Sequence, residues 1–332
     1  MKGKLILFMD IQKQENKMSV KILNNPYFNN QSAINKLGPT NLPTFGISPL
    51  QFQKKDNGRI KGLESSDRTV IFNEKSGNVV NVVKQDFKNF ELAQYDVGVN
   101  AIEEALLYSE IDLDGLKREI SFSHDGARMK AVYTIPSLVV DMGNGDRTQA
   151  QIGIYDSMDG SWAFNAFVGG LRELCLNGQV SIDWISHFKK RHTKSLDHEQ
   201  ATWQISDCIK QFTVQGERWK QWRENTITDK EAFKQLWTVA GYNLKDLPTD
   251  EPLTETLTTK RFLDKPALVH LWYQWNANRR ELGQNEWALY NACTHWATHA
   301  PAGESYAENI VSIKKTREDN IRKFFKPLRR AA

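Results

Sequence analysis

The apolar residues of this chain change their period once, and that change limits what the chain can fold into. Between Thr69 and Val168 they alternate in short runs, as in Val79-Val-Asn-Val-Val83, broken by Ser76-Gly77, Asp125-Gly126 and Asp159-Gly160. That is the pattern of half-buried strands joined by tight turns. From Leu196 onward Ala201, Ile205, Cys208, Phe212, Trp219 and Trp222 recur at helical spacings, and eight of the ten tryptophans lie beyond residue 200. A sheet-rich part followed by a helical part defines an α+β fold, an antiparallel sheet with an embedded helix followed by a Trp-rich helical lobe.

The pattern divides the chain into a mostly irregular N-terminal arm (1–68), a sheet-rich α+β core (69–195), a helical lobe (196–312) and a basic C-terminal tail (313–332). The arm is rich in Asn, Gln, Lys and Pro and has no sustained period. In the core, Thr69 to Phe72 and Val79 to Val83 read as two strands, Asp96 to Ser109 as a helix, and Ile120 to Ser123 with Met129 to Ile135 as a hairpin. Short strands follow around Leu138 to Met142 and Ala150 to Tyr155. Ser161 to Val168 comes next, with Trp162, Phe164 and Ala166 on one side and Phe167 on the other. Asn177-Gly178 reads as a turn. In the lobe, Asp229 to Ala240, Pro266 to Asn276 and Asn285 to His299 read as further helices, and Gly216 is a candidate break in the first.

At 332 residues, 40% hydrophobic and 25% charged, the composition is that of a globular protein with a sizeable core. Three widely spaced cysteines give no disulfide framework and suit a reducing cytoplasm. No stretch approaches a membrane span. The expectation is a cytoplasmic protein with no membrane partner.

Several chemistries lack their motifs. There is no phosphate-binding glycine loop with its Lys, no dinucleotide fingerprint and no Gly-x-Ser-x-Gly elbow. Cys293, His295 and His299 carry zinc-type ligands, but the paired Cys-x-x-Cys element is absent, so a rim position on a packed helix accounts for them. Asp125, Asp156 and Asp159 are the residue type that holds magnesium, yet two of them precede Gly and read as turn residues. Cys175 beside Arg172 reads as a buried small residue rather than an activated thiol. No catalytic residue, metal or cofactor is assigned, and an enzyme is the less favoured reading.

Charge density is the stronger signal. Lys189, Lys190, Arg191, His192 and Lys194 follow the strand region and its Arg172, and such a knot neutralises several phosphates at once. Trp184 lies close by in sequence, and an aromatic face beside cations is how single strands are held without sequence preference. The tail adds Lys314, Lys315, Arg317, Arg322, Lys323, Lys326, Arg329 and Arg330 against Glu318 and Asp319. The nucleic-acid-binding set is therefore Arg172, Trp184, Lys189, Lys190, Arg191, His192, Lys194, Lys314, Lys315, Arg322, Lys323, Arg329 and Arg330. The tryptophans of the helices read as core packing.

Asp159-Gly-Ser, Arg172-x-x-Cys-x-Asn177, Arg191-His-Thr and the block Trp287 to Trp296 resemble the phage- and plasmid-encoded family called domain of unknown function 932, over about Ile71 to His299. That family reads His before Asp-Gly where this chain has Met158, and often Thr where it has Gly178, which argues against a strict catalytic motif. The resemblance implies a phage or plasmid setting. The functional expectation is a sequence-tolerant single-strand binding or annealing protein acting in recombination. Its partner would be nucleic acid, single-stranded DNA foremost, with homo-oligomers possible. The alternatives are an anti-defence protein that binds a host factor and a metal-dependent enzyme on nucleic acid.

Overall fold

A computed structural model describes residues 26–56, 59–90, 92–172, 177–180, 198–248, 253–300 and 306–325. Regular structure begins well before Thr69. Helix α1 (Pro26–Asn35) is followed by a long hairpin of β1 (Phe45–Asp56) and β2 (Arg59–Asn73), to which β3 (Val79–Val83) adds a third antiparallel strand. Much of the stretch read as an irregular arm is thus a helix and a hairpin. Its polar, Pro-containing sequence hid them because the distal hairpin buries almost nothing and so carries no alternation.

Helix α2 (Tyr95–Leu107) leads into a second antiparallel sheet of β4 (Lys117–Ser123), β5 (Arg128–Asp141), β6 (Arg147–Ser157), β7 (Asn165–Arg172) and β8 (Asn177–Val180), paired in chain order. The His124-Asp-Gly126 turn takes positive φ at all three residues, as the hairpin reading requires. Strand β5 runs through Pro136 as one element, with a register shift between Ile135 and Val139 in its pairing to β6. A bulge tolerates the missing N–H of proline.

Two local expectations are corrected. Asn177-Gly178 is not a turn: Asn177 pairs with Arg172 and Gly178 with Leu171, so the dipeptide opens β8. Trp162 precedes β7 and joins Phe167, Tyr155 and Val311 in a small cluster, whereas Phe164 and Ala166 belong to the main core. Trp162 therefore packs with Phe167 rather than opposite it.

The helices are α3 (His198–Glu224), α4 (Asp229–Val239), the short α5 (Leu253–Thr256) and α6 (Lys260–Leu263), α7 (Pro266–Leu282), α8 (Glu286–His299) and α9 (Tyr306–Phe324). Helix α4 opens on a capping box, with the Thr228 side chain accepting from the Glu231 amide and the Glu231 carboxylate accepting from the Thr228 amide. Gly216 does not break α3. A Cβ there would fall 2.4 Å from a Val140 methyl, so the glycine lets the helix lie directly on β5. Gly170 does the same on β7, where Trp219 and Thr148 fill the space above it.

One face of the larger sheet carries Ala131, Tyr133, Ile152, Ile154, Ala166 and Val168 and packs under α2 and α3 with Val99, Ile102, Phe212 and Trp219. In the helical part Trp219, Trp237, Trp275 and Trp287 are fully buried, so they are core residues. Trp219 lies against Trp287 with ring centres 5.6 Å apart. Among the described residues no helix is long and apolar enough to cross a membrane.

Candidate functional site

The opposite face of the larger sheet is mixed, with polar residues alternating into it from β4, β5 and β6 beside Val132, Phe167 and Leu171. Lys117 pairs with Thr134 and Thr134 with Gln151; Ser121 pairs with Lys130 and Lys130 with Tyr155. Side chains alternate across a strand, so these all point away from the main core. Helix α9 crosses this face as a strap. Glu318 is only 1% exposed and accepts from Lys130 Nζ at 2.6 Å and from the Tyr155 hydroxyl. Burial first, and then the Glu318 carboxylate, push the Tyr155 hydroxyl far above its ordinary range, so it stays a neutral donor. Arg128 donates to Asp159 at 2.6 Å and to Ser312 of α9 at 2.7 Å. Lys315 lies over the rings of Tyr155 and Trp162 at 5.2 and 5.8 Å.

Between the strap, the end of α8 and the uncovered part of the sheet is a cleft of about 450 Å³. Lys117, Lys130 and Lys314 line it with Ser121, Thr134, Gln151, Thr298 and His299, and Glu119 is the one acid on its wall among the described residues. Among the described residues Lys117 and Lys314 make no ion pair. Burial, followed by the neighbouring Lys130 charge, holds the half-buried Lys314 ammonium below its ordinary pKa. The Glu318 and Glu119 carboxylates act on it in the opposite direction without outweighing burial, and an anion entering the cleft adds to their counter-charge.

His299 joins this cleft to a column of imidazoles. Its ring stacks on His295 at 4.7 Å, and His295 stacks on His270 at 5.4 Å, with one ring N–H of that second pair donating to the other ring across 3.3 Å. Burial lowers all three pKa values, that of His295 to about 4, so the column is neutral near pH 7. Cys293 faces the core, fully buried, with its thiol pushed up by burial. No set of three His, Cys, Asp or Glu side chains among the described residues is placed to hold a metal ion.

The carboxylates also separate. Asp125 accepts from Ser76 and Asn78, and Asp156 is buried beside the Ser157 amide. For Asp159 burial alone would raise the pKa, but the Ser161 amide and Arg128 outweigh it and hold the carboxyl below its usual range. The Asp159 carboxylate is thus a turn acceptor and the partner of Arg128.

Among the expected binding residues, Arg172 is corrected outright. It is fully buried, its Nε donating to Asp146 at 2.5 Å and its Nη2 to Glu281 at 2.6 Å. A guanidinium enclosed by two carboxylates has no free donors to offer a phosphate from the surface. Lys315 is buried and paired with Asp319 at 2.9 Å, and Arg322 pairs with the same carboxylate at 2.7 Å. Lys314 faces the cleft and Lys323 is exposed. The C-terminal segment is thus a docked helix as far as Phe324, with Ile321 and Phe325 in the core. Trp184, Lys189, Lys190, Arg191, His192, Lys194, Arg329 and Arg330 lie outside the described residues, as does Cys175.

Lys117, Lys130, Thr134 and Gln151 were not singled out from the sequence. The signal was there in Lys117-Arg-Glu-Ile-Ser-Phe-Ser123, where Lys117, Glu119 and Ser121 make one polar file. Only the pairing to β5 and β6 brings that file beside the others.

Fold and site together define an α+β protein whose larger sheet is half covered by its own C-terminal helix, leaving a lysine-lined cleft. The chain belongs to the family described as domain of unknown function 932, whose model matches residues 118–326. The matched part holds the cleft apart from Lys117, the strap and the helical lobe, while β1 to β3 precede it. No curated protein and no solved structure matches the chain.

Proposed function

We propose that this protein binds single-stranded nucleic acid without sequence preference, inside the cell, and that the strand's phosphates enter the cleft under α9. The observation that carries this reading is the convergence of Lys117 and Lys314 on one open cavity, beside the Glu318-paired Lys130, with Glu119 as the one acid among the described residues of its wall. Lysine ammonium groups bind phosphate as point charges and release condensed counterions, which favours any sequence equally. Ser121, Thr134 and Gln151 add hydroxyl and amide donors of the kind that position a backbone rather than read a base. Annealing in recombination, on a phage or plasmid, is the setting in which such a binder fits.

The test is fluorescence anisotropy with labelled 20-mers, single- and double-stranded, comparing the full chain with its Lys117→Ala/Lys314→Ala variant. The reading expects single strands of unrelated sequence to bind alike and the double variant to bind at least tenfold more weakly. Equal affinity of variant and parent would remove the cleft from the account.

A further inference from the structure

The imidazole column ends in the cleft. His299 is exposed and lines the cavity with Lys314 and Thr298, while His295 and His270 continue the stack away from it, from α8 across to α7. The wall of the phosphate site thus holds a side chain whose charge can change near neutral pH.

Hydrogen bonding fixes what the neutral ring offers a ligand. Thr298 Oγ1 lies 2.8 Å from the Thr294 carbonyl oxygen and 2.7 Å from His299 Nδ1. A hydroxyl has one proton and a carbonyl only accepts, so the hydroxyl donates to Thr294 and accepts from Nδ1–H. The neutral ring then carries its proton on Nδ1, and Nε2 holds a lone pair that repels a phosphate oxygen. One more proton, taken from solvent onto Nε2, turns that nitrogen into a donor and the ring into a cation.

The charges around the ring decide when that proton is taken. Lys117, Glu119 and Lys130 stand on the sheet, Lys314, Arg317 and Glu318 on α9, His295 one turn back on α8 and His270 on α7. Lys130 is paired with Glu318, and among the described residues the remaining cations outnumber the remaining acid, Glu119. Burial is the first cause that holds the His299 ring below its ordinary pKa, and the Lys314 charge adds to it. An anion beside Lys314 works against both, so the ring gains a proton as the anion binds.

We propose that His299 is a phosphate-contacting residue of the cleft and that a strand bound there brings one proton onto Nε2, so that single strands are held more tightly as pH falls below neutrality. The proposal rests on the single-strand reading above and adds the condition that regulates it. Affinity rises as pH falls through the ring's pKa in the complex and levels off below its pKa in the free protein. One proton is the limit, because a second on His295, with ring centres 4.7 Å apart, would meet the charge of the first.

The experiment follows binding of a labelled thymidine 20-mer from pH 7.5 to pH 5.5 at constant ionic strength, for the full chain and its His299→Gln and His299→Arg variants, with circular dichroism at each pH to confirm the fold. Neither thymine nor a phosphodiester titrates in that range, so a slope belongs to the protein. His299 is exposed, and both variants should fold. Raising the pKa of one group by about one unit changes affinity by up to roughly tenfold, so the parent should bind about that much more tightly at the acid end. His299→Gln should stay level at the parent's weak limit, and His299→Arg should stay level at its tight limit or above. A parent that binds alike across the range overturns the proton coupling and leaves the cleft standing, as does a slope that survives in His299→Gln. If His299→Arg binds as weakly as His299→Gln, a cation at this position does not meet the phosphate, and the contact is wrong. No oligonucleotide binding by the parent at any pH overturns both this proposal and the reading it rests on.

Discussion

Arg172 and Trp287 meet on a single carboxylate: Arg172 Nε and Trp287 Nε1 donate to the two oxygens of Asp146, at 2.5 and 3.0 Å. One comes from the end of β7 and the other from the first turn of α8, so this carboxylate fastens the larger sheet to the helical lobe. Arg172 closes the knot by reaching Glu281 of α7 at 2.6 Å. Removing the arginine strands Asp146 in the core without its counter-charge. Arg172→Ala should therefore destabilise the fold by about 3–5 kcal/mol, read as a lower urea midpoint with unchanged slope. Arg172→Lys should recover little, since one ammonium cannot reproduce the guanidinium fork.

Trp287→Phe isolates the other half of the same contact. The ring volume is largely kept while the indole N–H is lost, leaving one oxygen of a buried carboxylate short of a donor. The expected cost is about 1–3 kcal/mol, again by urea unfolding.

The strap depends on Glu318. With Lys130 and Tyr155 both donating to it, Glu318→Ala leaves a largely buried ammonium and a buried hydroxyl without their acceptor. The loss should be about 3 kcal/mol, and limited proteolysis should cut within residues 306–325 before it cuts β5 or β6. A variant with parent stability and parent proteolysis would show that α9 is held mainly by Val311, Ile321 and Phe325.

The imidazole column gives a pH signature. His270, His295 and His299 are neutral in the fold because burial lowers their pKa values from 6.5, His295 to about 4. Between about pH 6.5 and pH 4 the unfolded chain binds protons that the folded chain refuses, so stability falls as pH falls through that window and is level above it. The melting temperature should drop between pH 7 and pH 5, and His295→Gln should flatten the drop. An unchanged profile in His295→Gln would place the acid sensitivity elsewhere.

Cys293 gives a protection test. Its thiol is enclosed in the core and pushed up by burial, so iodoacetamide at neutral pH should leave the Cys293 peptide unmodified in the folded protein and modify it in urea. Rapid labelling without denaturant would mean that α8 opens locally.

The sequence announces elements wherever one side of them is buried. The period of Val99, Ile102 and Leu106 marks α2, and the alternation of Met129, Ala131 and Tyr133 marks β5, because each of these side chains enters the same core. The distal part of the β1–β2 hairpin leaves no such trace, since Gln51 to Lys54 and Gly62 to Ser65 are all exposed. The site was legible only in part for a related reason. A run of basic residues identifies itself in one dimension, whereas Lys117, Lys130 and Lys314 become neighbours only through strand pairing and the docking of α9. Arg172 misleads in the opposite direction: its charge is plain in the sequence, but its two carboxylate partners, Asp146 and Glu281, lie 26 and 109 residues away.

The measurement that tests the central claim most directly is the salt dependence of single-strand binding. The logarithm of the association constant for a labelled oligonucleotide would be followed against the logarithm of salt concentration for the parent and for Lys117→Ala/Lys314→Ala. Each phosphate contact contributes about 0.7 to the slope on a single strand, so the double variant should lose roughly 1.4 from it together with at least tenfold in affinity. Parallel lines for parent and variant would contradict the claim, because the phosphates would then be neutralised somewhere other than the cleft.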